Sequence, residues 1–129
     1  MSEAKKTIML VEDEMPLLKA ISTKLEAAGF DVVTSRSVQQ AINAILDIGP
    51  VDAIWTDHYL LGNETGLDLV AKIKGDPKFK DIPVFVVSVT SSPGNTGAYA
   101  ALGIEKFYTK HEYRMDDIIK DIKMRLKLS

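Results

Sequence analysis

Residues 51–57 read VDAIWTD, and the eight that follow, HYLLGNET, turn polar and loop-like. A short apolar run that stops on a carboxylate reads as a buried strand ending at a sheet edge. Residues 7–14, TIMLVEDE, repeat the arrangement and end on Glu12, Asp13 and Glu14. Two buried strands that each finish on acids can bring those acids together. Unpaired carboxylates repel at close range, so such a cluster calls for a cation. The two runs therefore predict a metal-assisted site on a sheet edge, with a metal that prefers oxygen ligands.

Working outward from these runs, strand-like and helix-like segments alternate. After TIMLV, the residues Leu17, Leu18, Ile21, Leu25 and Ala28 recur at helical spacing up to Gly29. FDVVTS holds a second strand, and Ser37 is placed to cap a helix carrying Val38, Ala41, Ile42, Ile45 and Leu46. Gly49-Pro50 ends that helix. Beyond the loop, Thr65 or Asn63 is placed to cap a short helix with Leu67, Val70 and Ala71, which Gly75-Asp76-Pro77 breaks. VFVVSV (84–89) is the most strongly β-forming run. The stretch TSSPGNTGAYAALG is expected to start as a loop, since Pro93, Gly94 and Gly97 disfavour helix, with a turn or two at Tyr99 to Leu102. IEKFYT is a fifth strand. A last helix places Met115, Ile118, Ile119, Ile122 and Leu126 on one face, and its basic end from Lys120 to Lys127 suits the helix dipole as a solvated face.

Five βα units with largely apolar strands imply an α/β fold, a parallel sheet covered on both faces. Right-handed crossovers then put every strand's C-terminal end at one edge, where ligands bind in such sheets. Glu12, Asp13, Asp57, Ser88 and Lys110 all fall near that edge.

The 129 residues suffice for one domain. A content of 46% hydrophobic and 26% charged residues is that of an ordinary globular chain. The net charge of -2 argues against general nucleic-acid binding. The absence of cysteine excludes disulfides, thiol catalysis and thiolate metal sites. No apolar run approaches the roughly 18 residues of a membrane span, and the N-terminus has too short an apolar stretch for a signal peptide. These features fit a cytoplasmic protein.

The chemistry follows from the edge residues taken together. Three carboxylates suit a hard divalent cation, foremost Mg²⁺. A lysine opposite them can neutralise an anionic group, and the Ser88 hydroxyl can donate to it. Acids, cation, lysine and hydroxyl describe a phosphoryl site. Neither G-x-x-x-x-G-K-[ST] nor G-x-G-x-x-G occurs, which removes the usual nucleotide cradles. A protein side chain is then the expected phosphoryl acceptor, and Asp57 is the best placed to form an aspartyl phosphate.

The motifs IMLVEDE, VDAIWTDHYLLGNETGLDL, IPVFVVSV and ALGIEKFYTK together resemble the receiver domain of response regulators, the family of two-component signalling that includes the chemotaxis regulators. The resemblance spans nearly the whole chain and implies one receiver domain over residues 1–129. It implies a flavodoxin-like doubly wound (βα)5 fold with strand order 2-1-3-4-5. It makes Asp57 the phospho-acceptor, Asp13 the direct metal ligand, and Glu12 the neighbouring acid. The backbone carbonyl of Tyr59 joins the metal shell. Ser88 becomes the switch hydroxyl, Lys110 the phosphate-contacting lysine, and Phe107 the switch aromatic. Tyr59 and Thr90 would flank the phosphate and tune its hydrolysis. The implied function is a phosphorylation-driven signalling switch rather than an enzyme. Its implied partners are a histidine kinase or phosphotransfer protein upstream and a protein target downstream, with Mg²⁺ as cofactor and no nucleic acid or membrane.

The chain departs from the family pattern at three places. His111 stands where a proline, commonly with a cis bond, follows the lysine. The loop after Asp57 is one residue longer and ends at Gly66. Val89 occupies a position where a small residue is usual, and it could crowd access to the phosphoryl group. Two other function classes compete. One is a receiver-like interaction module that is never phosphorylated. The other is a phosphatase working through an aspartyl phosphate, but such enzymes resembling haloacid-dehalogenase phosphatases need a second Asp where Tyr59 stands. His58 and His111 read as structural, being far apart and without metal-ligand spacing. Trp55 reads as core, roughly 7 Å from Asp57 along the strand, and so as a natural reporter.

Overall fold

A computed structural model describes residues 5–90 and 93–128. Five strands alternate with five helices: β1 (Thr7–Val11), α1 (Met15–Ala27), β2 (Asp31–Ser35), α2 (Val38–Ile48), β3 (Ala53–Thr56), α3 (Gly66–Lys74), β4 (Val84–Ser88), α4 (Pro93–Ala101), β5 (Lys106–Thr109) and α5 (Met115–Arg125). The sheet is parallel throughout, in the order β2-β1-β3-β4-β5. This is the doubly wound flavodoxin-like topology that the sequence pattern and the family resemblance implied. The order reverses between β1 and β3, the place where ligands bind beyond the carboxyl ends of the strands in such sheets.

The sheet is buried on both faces, which explains why its central strands carry almost no polar residue. One face, with Met9, Val11, Ile54, Val84 and Val86, packs under α2, α3 and α4. The other, with Ile8, Leu10, Trp55, Phe85 and Val87, packs under α1 and α5. Period-two alternation thus sends neighbouring residues of one strand into different cores. Trp55 is 2% exposed and lies in the second core.

Helix ends follow local chemistry. The Ser37 hydroxyl accepts the Gln40 amide at 3.1 Å and caps α2. Thr65 caps α3, where the Asp68 carboxylate accepts its backbone N–H at 2.8 Å. Gly29 and Gly49 take positive φ just past α1 and α2, a conformation that side chains disfavour.

Two expectations need correction. The segment expected to start as a loop is helical from Pro93 to Ala101. Proline at the first helical position loses no intrahelical bond, and Tyr99, fully buried against the sheet, anchors the helix. The fifth strand is shorter than IEKFYT and begins at Lys106. The Glu105 amide nevertheless already bonds to the Val84 carbonyl at 2.8 Å. Among the described residues no helix is long and apolar enough to cross a membrane.

Candidate functional site

Register brings the expected residues together. Val11 pairs with both Ser35 and Thr56, so β1, β2 and β3 end level with one another. Ser88 pairs with Thr109, so β4 and β5 do the same. Glu12, Asp13, Asp57 and Lys110 each stand one or two residues beyond a strand end. The Asp57 amide is held by the Val11 carbonyl at 3.0 Å, and the Glu12 amide by the Ser35 carbonyl at 3.0 Å. The acids are therefore mounted on continuations of the ladder rather than on free loops.

The carboxylates of Glu12, Asp13 and Asp57 each offer an oxygen, and these oxygens lie within 4.8 Å of one another. Glu12 is 2% exposed and Asp57 5%. Burial, reinforced by the charge of Asp57, pushes the Glu12 carboxyl up to about 7, even though Lys110 and the Glu14 amide favour its ionised form. An all-oxygen cluster this crowded has the donor chemistry of a hard divalent cation site. Asp13 is half-buried and its backbone is fixed by Arg36, whose Nε and Nη2 donate to the Asp13 carbonyl at 3.0 and 2.6 Å. Composition and spacing gave no sign of Arg36, whose position just before the α2 cap is the only clue in the sequence. Glu12 and Asp13 do not cap α1: Glu14 is its N-cap and makes no side-chain cap bond.

Lys110 closes the cluster from β5. Its ammonium donates to Asp57 Oδ2 at 3.0 Å and to Glu12 Oε1 at 3.1 Å. Burial alone would lower its pKa, but the two carboxylates outweigh burial and raise it, so the lysine stays charged. No cis peptide occurs among the described residues, and Lys110 reaches Asp57 with a trans bond to His111. Its own amide donates to the Ser88 carbonyl at 2.8 Å and fixes its origin.

Ser88 is fully buried, and its hydroxyl has no hydrogen-bond partner among the described residues. Native structures rarely leave such an oxygen unsatisfied. Phe107 is half-buried on β5 and packs against the Tyr99 ring, centroids 5.6 Å apart. Tyr59 is 47% exposed, and its hydroxyl meets that of Thr90 at 3.1 Å. Val89, 51% exposed, stands at the rim.

Two features escaped the sequence reading. His58, read only as structural, is buried, and its Nδ1 lies 2.7 Å from the Tyr99 hydroxyl. Gly66 was seen only as the end of a loop. A Cβ there would fall 2.3 Å from the Asp57 carbonyl oxygen and 2.8 Å from the Tyr99 hydroxyl, so no other residue fits without displacement.

A 2-1-3-4-5 sheet with an acid cluster, a lysine and a hydroxyl on its carboxyl edge defines a phospho-receiver type of site. Comparison with known proteins agrees: the profile of the response regulator receiver domain matches residues 8–123, and the chain belongs to that family. It is 31% identical over 105 residues to the phosphate regulon transcriptional regulatory protein PhoB of Pseudomonas aeruginosa, covering 81% of this chain and 45% of that protein. The chain thus spans less than half the length of that relative. It is 28% identical over 105 residues to the polar-differentiation response regulator DivK of Brucella ovis, covering 81% of this chain and 84% of that one. Among solved structures, the phosphorylated cyanobacterial phytochrome response regulator RcpA superposes with a TM-score of 0.79 at 26% identity, covering 95% of this chain and 91% of that one. The chain is accordingly a receiver domain of the two-component type, a class of signalling modules, and its cluster of Glu12, Asp13 and Asp57 fits the phosphorylation and metal site of that class.

Proposed function

We propose that this chain accepts a phosphoryl group on Asp57 in a Mg²⁺-dependent reaction and changes conformation in response. The observation that carries the reading is Lys110 bridging Asp57 and Glu12 at 3.0 and 3.1 Å beside a buried Ser88 hydroxyl that has no partner among the described residues. The phosphohistidine of a histidine kinase or phosphotransfer protein, or a small phosphodonor, supplies the group. An Asp57 carboxylate oxygen attacks phosphorus as the bond to the donor nitrogen breaks. The electron pair stays on that imidazole, which leaves neutral or takes a proton from water.

The carboxylates of Glu12, Asp13 and Asp57, with the backbone carbonyl of Tyr59, would hold the metal. When bound, Mg²⁺ supplies charge neutralisation for the carboxylate and the phosphoryl oxygens. Lys110, already drawn into the site, exchanges one carboxylate contact for a phosphoryl oxygen. Ser88, without an acceptor among the described residues, gains a phosphoryl oxygen, which draws the end of β4 toward Asp57, and Phe107 follows inward. A hydroxyl that is unsatisfied in one state and bonded in the other favours the second state, as a two-state switch requires. The phosphorylated regulator among the structural relatives supports this reading. The target downstream is a protein surface rather than nucleic acid, in keeping with the net charge of -2.

The test is Trp55 fluorescence during titration with Mg²⁺, followed by a small phosphodonor or beryllofluoride, with intact-mass measurement of the adduct. Mg²⁺-dependent quenching and a single phosphoryl adduct are expected. A wild-type chain with neither response would return the protein to the class of unphosphorylated interaction modules.

A further inference from the structure

His58 follows Asp57 directly and is tied into the site at three points. Its amide donates to Asp57 Oδ1 at 2.7 Å, and its carbonyl accepts from the Gly66 amide at 2.8 Å. Its imidazole is held by the Tyr99 hydroxyl at 2.7 Å. Both side chains are buried, Tyr99 completely, so this bond has little competition from water. Tyr99 belongs to α4, 41 residues away, and its ring packs edge-on to His58 on one side and against Phe107 on the other. Gly66 presses on both partners, with room for no side chain beside the Asp57 carbonyl and the Tyr99 hydroxyl. The path from Asp57 through His58 and Tyr99 to Phe107 does not pass through Ser88.

We propose that His58 is a positioning residue for Asp57 and that its bond to Tyr99 links the phospho-acceptor to α4 and Phe107 independently of Ser88. The link has two consequences. It fixes the peptide whose N–H orients the acceptor carboxylate, leaving Oδ2 toward Lys110. It also means that inward movement of Phe107 has to shift Tyr99 and so disturb the His58 bond. The second consequence rests on the phospho-receiver reading above; the first does not.

Tyr99→Phe is the discriminating variant, because it deletes one buried oxygen and keeps the ring that packs the core. His58→Leu removes the other partner, and His58→Gln keeps a polar group able to bond. In the metal-free full chain, amide hydrogen exchange at His58 and Gly66 should quicken roughly threefold or more in Tyr99→Phe and His58→Leu, with recovery in His58→Gln. Exchange at those amides that matches wild type in Tyr99→Phe overturns the positioning role. With beryllofluoride and Mg²⁺, the Trp55 response should persist in Tyr99→Phe while the amide shifts of Ala100 and Ala101 fall to about half or less of those in wild type. The double variant Tyr99→Phe/His58→Leu should fall no further, because both changes break one bond. Full-sized α4 shifts in Tyr99→Phe, or effects that add in the double variant, overturn the link. Absence of any beryllofluoride response in wild type defeats the phospho-receiver reading and the switching half of this proposal together, while the exchange measurement still decides the positioning half.

Discussion

The β1–β3–β5 corner of the site and its β4–α4 corner share one sheet edge, yet their polar groups are treated in opposite ways. In the first corner, Lys110 bonds to Asp57 and Glu12, the Asp57 carboxylate takes the His58 amide, and Arg36 braces the Asp13 backbone. In the second corner, a fully buried Ser88 hydroxyl stands without a partner among the described residues. The first corner is already assembled without a ligand, which suits the proposed chemistry on a fixed acceptor. The second is short of a bond among the described residues, and under the proposed function a phosphoryl group at Asp57 would supply it. The contrast separates reaction from response within a few residues.

The largest expected effect falls on the assembled corner. Asp57→Asn keeps the size and the hydrogen-bonding outline of the side chain but removes the nucleophilic carboxylate, so phosphodonor labelling should vanish by intact mass. Persistent labelling at another residue would break the comparison at its root. Gly66→Ala tests the packing of the same corner. The added methyl meets the Asp57 backbone carbonyl, which cannot move aside as a flexible side chain would. A loss of roughly 1–3 kcal/mol in urea unfolding is expected from overpacking. A midpoint unchanged from wild type would mean that the corner is looser than its contacts imply.

These two corners were unequally legible in the sequence. Glu12, Asp13, Asp57 and Lys110 announced themselves because each follows an apolar run, and parallel strands deliver such residues to one edge. Their convergence is a property of topology, which periodicity reveals. The response side depends on packing across long sequence separations, which periodicity does not encode. His58 and Tyr99 meet only because α4 packs against β5 and α3 beside the end of β3, and neither residue carries a motif. The helix α4 itself was obscured by Pro93, Gly94 and Gly97. Local propensity, about 1 kcal/mol per glycine, is overridden there by the burial of Tyr99. His111 shows the converse case: a departure from the family pattern that leaves Lys110 within 3.0 Å of Asp57.

Ser88→Ala should separate the corners most directly. Deleting a buried hydroxyl that has no partner among the described residues removes a desolvated group, so the unliganded protein should be as stable as wild type or more stable by up to about 1 kcal/mol. Labelling of Asp57 should continue, while the conformational response to beryllofluoride, read by amide shifts at the end of β4, should shrink severalfold. A marked loss of stability would show that the hydroxyl is already satisfied in the resting state.

The pH dependence probes the tension in the assembled corner. Glu12, ordinarily near 4.5, is pushed up to about 7 by burial and by Asp57. Between those values the folded chain binds more protons than the unfolded chain, so metal-free stability should fall as pH rises through that window. Mg²⁺ requires the ionised carboxylate and should flatten or reverse the slope. Urea midpoints at either end of the window, for wild type and Glu12→Gln, give the comparison, and Glu12→Gln should lose the slope. An identical slope in that variant would assign the effect to another group.

The smallest effect belongs to the rim, where the corners meet on the solvent side. Tyr59 rises from the β3 loop and Thr90 from the β4 end, and their hydroxyls meet at 3.1 Å. Both are exposed, so the bond contributes little to folding. Under the proposed function its consequence is kinetic. Hydrolysis of an aspartyl phosphate needs a water in line with the scissile bond, and a closed rim limits where that water can stand. A contact of about 1 kcal/mol that must open first slows hydrolysis by roughly fivefold. Tyr59→Ala and Thr90→Ala should therefore shorten the phosphoryl half-life by that order, and Tyr59→Phe should separate the hydrogen bond from the bulk of the ring. Half-lives equal to wild type in both alanine variants would mean that water reaches Asp57 by another route, and the rim would then belong to neither corner's function.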